Sequence, residues 1–157
     1  AKTLNLVTVL NAAPAVKLPE ELLQLIDILV VNETEFKVLT KFDAKSDSLI
    51  KSGAQTLLLT GVKSILLTLG ANGSVYYDID NFIKVPTYKI KVVDTTAAGD
   101  TYIGSFIASL IYKKNILESM KFATAAASLA ITKKGAQISI PSYEEVISFL
   151  KEKGEYL

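Results

Sequence analysis

One run of six residues limits what this chain can fold into. Ser64 to Leu69 reads SILLTL, apolar almost without interruption, and Asp27 to Val31 (DILVV) is a second short apolar run. A strand with one wet face alternates polar and apolar residues. A continuous run marks a strand covered on both faces, the situation of inner strands in sheets flanked by helices.

The segments around these runs supply helices. Pro19-Glu20-Glu21 starts a short one through Ile26, with Pro at the favoured first position and acids near the N-terminus. Asn32-Glu33-Thr34-Glu35 opens another to about Thr40. Ser46 or Asp47 caps a third, whose Leu49, Ile50, Leu57 and Leu58 fall on one side. Gly53 and Gly61 interrupt that pattern, and Leu57-Leu58-Leu59 also suits a strand, so its end is open. Leu4 to Leu10 reads as a strand ending in the turn Asn11-Ala12-Ala13-Pro14-Ala15. Ser74 to Ile79, Phe82 to Val85 and Tyr88 to Val93 are further strands, with turns at Gly70–Gly73 and Asp80-Asn81. Tyr102, Ile103, Phe106, Ile107, Leu110 and Ile111 then recur at helical steps. Ile116 to Thr132 is an Ala-dense helix, and Ser142-Tyr143-Glu144-Glu145 is a capping box for a last helix to about Lys153. Strands alternate with helices around a hairpin-like insertion, without repeats or composition breaks. The expectation is one α/β unit, a sheet with helices on both faces.

Composition removes whole classes of chemistry. The chain has 157 residues, 50% hydrophobic and 21% charged, with net charge +1. That balance carries no signature of nucleic-acid or acidic-membrane binding. All 17 basic residues are Lys, so any anion must be held by Lys, backbone N–H or metal. Cys and His are both absent, which removes disulfides, thiolate nucleophiles, His bases and zinc sites built on them. A cysteine-free chain suits the cytoplasm. No apolar run reaches membrane-spanning length, and the first residues lack a signal peptide's apolar core. They also lack an initiator Met, and the chain is expected to begin inside a larger protein.

Phosphate-binding loops are the next test. Gly99 to Ser105 has the spacing of a Walker A loop but no Lys after Gly104, and no G-x-G-x-x-G is present. What remains is Asp94-Thr95-Thr96-Ala97-Ala98-Gly99-Asp100, a run of small residues at a helix start. Such a turn offers unpaired N–H groups and the positive end of the helix dipole to an anion. The plainer alternative is a helix simply capped by Asp or Thr. Asn32-x-x-Glu35 is likewise either a capping box or the outer shell of a Mg²⁺ ion, which needs only one or two carboxylates beside phosphates. Thr68-Leu69-Gly70-Ala71-Asn72-Gly73 is either a hairpin turn or a cradle for a nucleotide. Lys133-Lys134-Gly135 is most simply a solvated loop.

Together and in this order, these pieces resemble the ribokinase branch of the PfkB sugar-kinase family. The resemblance rests on D-T-T-A-A-G-D, N-x-x-E, Thr68-Leu69-Gly70, Leu10-Asn11-Ala12-Ala13-Pro14-Ala15, and Lys134-Gly135-Ala136-Gln137-x-Ser139. It covers essentially the whole chain. Ala12 stands where Pro is usual, and Thr124 where a His often lies beside the adenine. The resemblance implies an open, mostly parallel ribokinase-like sheet, with residues 1–157 as the C-terminal, nucleotide-binding half. The N-terminal sugar-binding half and its lid are absent from these residues, so the chain alone is expected to be inactive.

The implied reaction moves the γ-phosphoryl of ATP to the 5-hydroxyl of ribose. Asp100 would be the base and would contact the sugar, the N–H groups of Ala98, Gly99 and Asp100 would form an anion hole, and Ala97 belongs to the same catalytic turn. Asn32, Thr68, Leu69, Gly70, Ala71, Asn72, Gly73 and Thr124 would line the nucleotide. Glu35 and Asn32 would steer Mg²⁺ through water. Asp94, Thr96, Ala130, Lys133, Gly135 and Ser139 would ring a monovalent cation, K⁺. The full-length protein is expected as a cytoplasmic homodimer with no nucleic-acid or membrane partner. The alternatives are another PfkB kinase, for fructose or a nucleoside, or a non-catalytic nucleotide-binding module of the same fold.

Overall fold

The apolar runs become the inner strands of an open five-stranded mixed sheet. The structure, a computed structural model, describes residues 1–112 and 114–156. The sheet runs in order β1 (Val9–Asn11), β2 (Ile28–Asn32), β3 (Ser64–Thr68), β4 (Ser74–Tyr77) and β5 (Phe82–Val85). β1, β2 and β3 are parallel, with Asn11 opposite Val30 and Asn32 opposite Thr68. β4 returns antiparallel, with Ser74 opposite Thr68. The helices are α1 (Glu20–Leu23), α2 (Glu33–Thr40), α3 (Asp47–Leu58), α4 (Ala98–Ile111), α5 (Ile116–Ala130) and α6 (Tyr143–Glu152). The chain divides into two compact units, Ala1–Lys84 and Val85–Leu157.

In the first unit, Leu29, Val31, Ile65, Leu67 and Val75 form one core with Leu23 of α1, Phe36 of α2, and Ile50, Ala54 and Leu57 of α3. Full burial of each large side chain stabilises by roughly 1.5–3 kcal/mol. Ile28, Val30 and Leu66, at the alternate positions of the same strands, are buried as well. This double burial is why neither run alternates. Gly53 does not break α3: a Cβ there would come within 2.5 Å of the Phe36 ring, so glycine is what lets α3 approach α2. The helix ends at Leu58, and Gly61, at φ +103°, turns the chain towards β3.

In the second unit, α4 and α5 pack against each other along most of their length, and α6 lies on α5. Ala125 and Ala126 meet Val146 and Leu150 in a core with Tyr88, Phe122 and Phe149 at its margin. The small residues of α5 allow this close approach.

Three expected elements differ. The first strand is only Val9–Asn11, because Lys2–Leu4 forms a 3₁₀ turn and pairing with β2 begins at Val9. α1 stops at Leu23, where the next N–H groups, of Leu25 and Ile26, tighten to three-residue bonds before β2. Tyr88 to Val93 is not a strand. Its β-branched residues favour extension, but no ladder partner lies beside it among the described residues. No described helix is long and apolar enough to cross a membrane.

Candidate active site

The start of α4 is an open helix end. Ala97 occupies the cap position in left-handed conformation, φ 60°, and no side chain caps the helix. Asp94 and Thr96, the residues best suited to capping, bind each other instead. The Asp94 Oδ1 accepts from the Thr96 N–H at 2.9 Å and from its hydroxyl at 2.7 Å. Every other helix of eight residues or more has a side-chain cap, from Asn32, Ser46, Asn115 or Ser142. The plain capping alternative for this turn is therefore not what the fold builds.

The Ala98 N–H, expected as an anion-hole donor, instead bonds the Thr95 carbonyl at 3.2 Å, and the Thr101 N–H bonds Ala97 at 2.9 Å. Between them, the N–H groups of Gly99 and Asp100 have no partner among the described residues. Both residues are exposed, and a Cβ on Gly99 would meet nothing within 4 Å. Two N–H donors and the dipole thus face open space, with the Asp100 carboxylate in the same turn. The left-handed Ala97 costs on the order of 1 kcal/mol.

The Lys-Lys-Gly loop closes around Asp94. The Gly135 N–H donates to Asp94 Oδ2 at 3.0 Å, while the Ile131 carbonyl accepts from Val93 and Asp94 N–H at 2.8 and 3.2 Å. The Thr96 hydroxyl, then the N–H groups of Gly135 and Thr96, hold the Asp94 carboxyl down at about 2. Asp94, Thr96 and Gly135 thus form one hydrogen-bonded group. The Ala130 carbonyl accepts from the Lys133 N–H at 3.1 Å. Lys133 reaches Glu145 at 3.0 Å, and the buried Ser139 donates to the Ala136 carbonyl at 2.7 Å. Thr124 is buried too, its hydroxyl turned back to the Met120 carbonyl at 2.8 Å. The Ile131 carbonyl is the participant that residue type does not reveal, because a main-chain oxygen leaves no trace in side-chain identity.

In the first unit, Asn32 and Glu35 form a complete capping box. Asn32 Oδ1 accepts from the Glu35 N–H at 2.9 Å, and Glu35 Oε2 from the Asn32 N–H at 2.8 Å. Glu35 is buried, 6% exposed as a residue, and its second carboxylate oxygen takes no part in the box. Asn32 and Thr68 are register partners at the carboxyl ends of parallel strands, the edge where open α/β sheets place ligands. Beyond Thr68, Leu69 is buried and its N–H bonds the Gly73 carbonyl at 2.8 Å, while Gly70, Ala71 and Asn72 form an exposed 3₁₀ turn. No group of three or more Asp, Glu, His or Cys suited to a metal occurs among the described residues.

The family model of pfkB carbohydrate kinases matches residues 1–143. A ribokinase of Staphylococcus aureus is 43% identical over 147 residues, 93% of this chain and 48% of that protein. The structure of Arabidopsis thaliana ribokinase complexed with ribose and ATP superposes with TM-score 0.92 at 35% identity, covering 96% of this chain and 49% of that one. Ribokinase from Thermotoga maritima gives TM-score 0.86 at 39% identity, over 96% and 50% of the two chains. The chain spans about half the length of the relatives it matches. Sequence, fold and motif order agree, and the chain belongs to the pfkB family of carbohydrate kinases.

Proposed function

We propose that these residues form the C-terminal, nucleotide-side half of an ATP-dependent ribose kinase, with the sugar-binding half and lid supplied by residues outside this chain. The uncapped start of α4 carries the reading: two free N–H groups and the Asp100 carboxylate share one exposed turn. Phosphoryl transfer depends mainly on positioning and electrostatics, which suits a site without His or Arg. Asp100 orients the sugar 5-hydroxyl and accepts its proton. The Gly99 and Asp100 N–H groups receive charge building on the transferring phosphoryl, and Ala97 and Ala98 shape the turn. Thr68 to Gly73 and Thr124 belong to the nucleotide side.

The donors present suit both ions of this reading. Glu35 keeps one carboxylate oxygen outside its capping box, enough for a Mg²⁺ that retains most of its waters, with Asn32 beside it. Asp94, held ionised, and the oxygens of Thr96, Ala130, Lys133, Gly135 and Ser139 are an all-oxygen set that fits K⁺. When bound, Mg²⁺ neutralises phosphate charge and K⁺ supports the turn. A cytoplasmic homodimer, without nucleic-acid or membrane partners, completes the reading. Purified full-length protein given ATP, Mg²⁺ and K⁺ is expected to form ribose 5-phosphate, and to lose rate when Li⁺ or Na⁺ replaces K⁺. Turnover of fructose or a nucleoside with none of ribose overturns the ribose assignment.

A further inference from the structure

The segment that delivers the catalytic turn has no sheet to hold it. Residues 86–93 lead from β5 to Asp94 without a ladder, so other contacts must fix where Asp94 begins. At the Asp94 end there is the Ile131 carbonyl. Further back, Tyr88 is an anchor. Its ring stands edge-on to Phe149 of α6, centroids 5.0 Å apart at 86°. Its hydroxyl donates to Glu155 Oε1 at 2.8 Å. Lys121 of α5 approaches Glu155 Oε2 at 2.8 Å. Gly154, at φ +76°, reverses the chain after α6, and the Glu155 N–H then bonds the Leu150 carbonyl at 2.9 Å. The Glu155 side chain is 26% exposed, so water screens this contact only in part. Burial, then the Glu155 carboxylate, raises the Tyr88 hydroxyl well above the usual phenol range, so it stays a donor.

We propose that Tyr88 and Glu155, steadied by Lys121, are positioning residues that hold the 86–93 strap and thereby set the placement of the Asp94–Asp100 turn. The proposal rests on reading that turn as the phosphoryl-transfer site. Neither residue touches substrate; both act through the strap. A helix end that presents two N–H groups to a reacting phosphoryl tolerates little displacement, since small misplacements cost large factors in rate.

Tyr88→Phe keeps the ring against Phe149 and removes only the hydroxyl. In the full-length protein it is expected to lower kcat about tenfold with nucleotide KM nearly unchanged. It should also speed hydrogen exchange at the Val93, Asp94 and Gly135 amides, because the strap's opening becomes easier. Glu155→Gln keeps an acceptor and loses the ion pair, so its effect should be smaller. The double variant should be no worse than Tyr88→Phe alone, since both act on one contact. Lys63→Met, which removes the Lys63–Asp27 pair in the first unit, should change neither readout. Unchanged exchange in Tyr88→Phe overturns the anchoring. Faster exchange with normal kcat overturns the positioning role. An equal kcat loss in Lys63→Met does the same, by marking the effect as general destabilisation. Normal turnover in Asp100→Asn overturns the reading of the turn itself, and the exchange measurement separates that failure from the others.

Discussion

Helices α2 and α4 begin at motifs that look alike on paper, small or acidic residues with a carboxylate in the first turn, and the fold finishes them differently. At α2, Asn32 and Glu35 satisfy each other's backbone N–H groups reciprocally. At α4, the polar residues turn away: Asp94 is occupied by Thr96 and Gly135, Ala97 takes the cap position, and two N–H groups remain open. A sealed start is a structural joint whose carboxylate has one oxygen to spare. An open start leaves two N–H donors free, the feature on which the proposed phosphoryl site rests, and it comes with a left-handed alanine. The difference shows that residue types at a helix start do not say whether it is closed. What decides is where the neighbouring side chains find better partners.

The strongest way to break this contrast is Asp100→Asn in the full-length protein. It should reduce kcat by about 10²–10⁴-fold, the usual worth of a general base, with ATP affinity by calorimetry nearly unchanged. Retained turnover removes Asp100 as base. Gly99→Ala comes next. Its methyl group enters open space, so thermal stability should hold or rise by roughly 0.5–1 kcal/mol, since alanine favours a helix over glycine. If a phosphoryl docks on this turn, the added methyl crowds it, and turnover should fall about tenfold or more. A variant both stable and fully active shows that no phosphoryl oxygen docks there.

Asn32→Ala should do what no change at α4's cap can do, namely open a sealed start. The expected cost is about 1 kcal/mol in urea titration, the usual worth of a cap. A cost near zero means that packing of Phe36, not the capping box, holds α2. The smallest effect is electrostatic. Asp94 sits at about 2 against its ordinary 3.8, so protonation is disfavoured in the folded state. Its contribution to stability is complete above about pH 4 and is lost as pH falls through about 2. Asp94→Asn should therefore flatten the acid limb of the stability curve, measured by denaturant midpoints from pH 5 to 2. An unchanged limb breaks the link between the turn and Gly135.

Much of this was legible in advance where one residue type has one physical meaning. The apolar runs 27–31 and 64–69 named the inner strands, and Ser46 and Ser142 sit where a cap belongs. The motif order carried the family. Tyr88 to Val93 was misread as a strand because extended propensity is local, whereas a ladder needs a neighbour. Gly53 looked like a break because its reason, the Phe36 ring, lies on another helix.

The sequence by itself determined the α/β layering and the absence of His, Cys and Arg chemistry. It also determined the placing of Asn32, Thr68 and Asp100 at strand ends and helix starts, because periodicity and residue chemistry are properties of the chain alone. Only the tertiary structure decided that α4 stays open while α2 is sealed. That outcome turns on Asp94 choosing Thr96 and Gly135 over its own helix. A hydrogen bond to a residue 41 positions away competes with a local one only once folding has brought the two together.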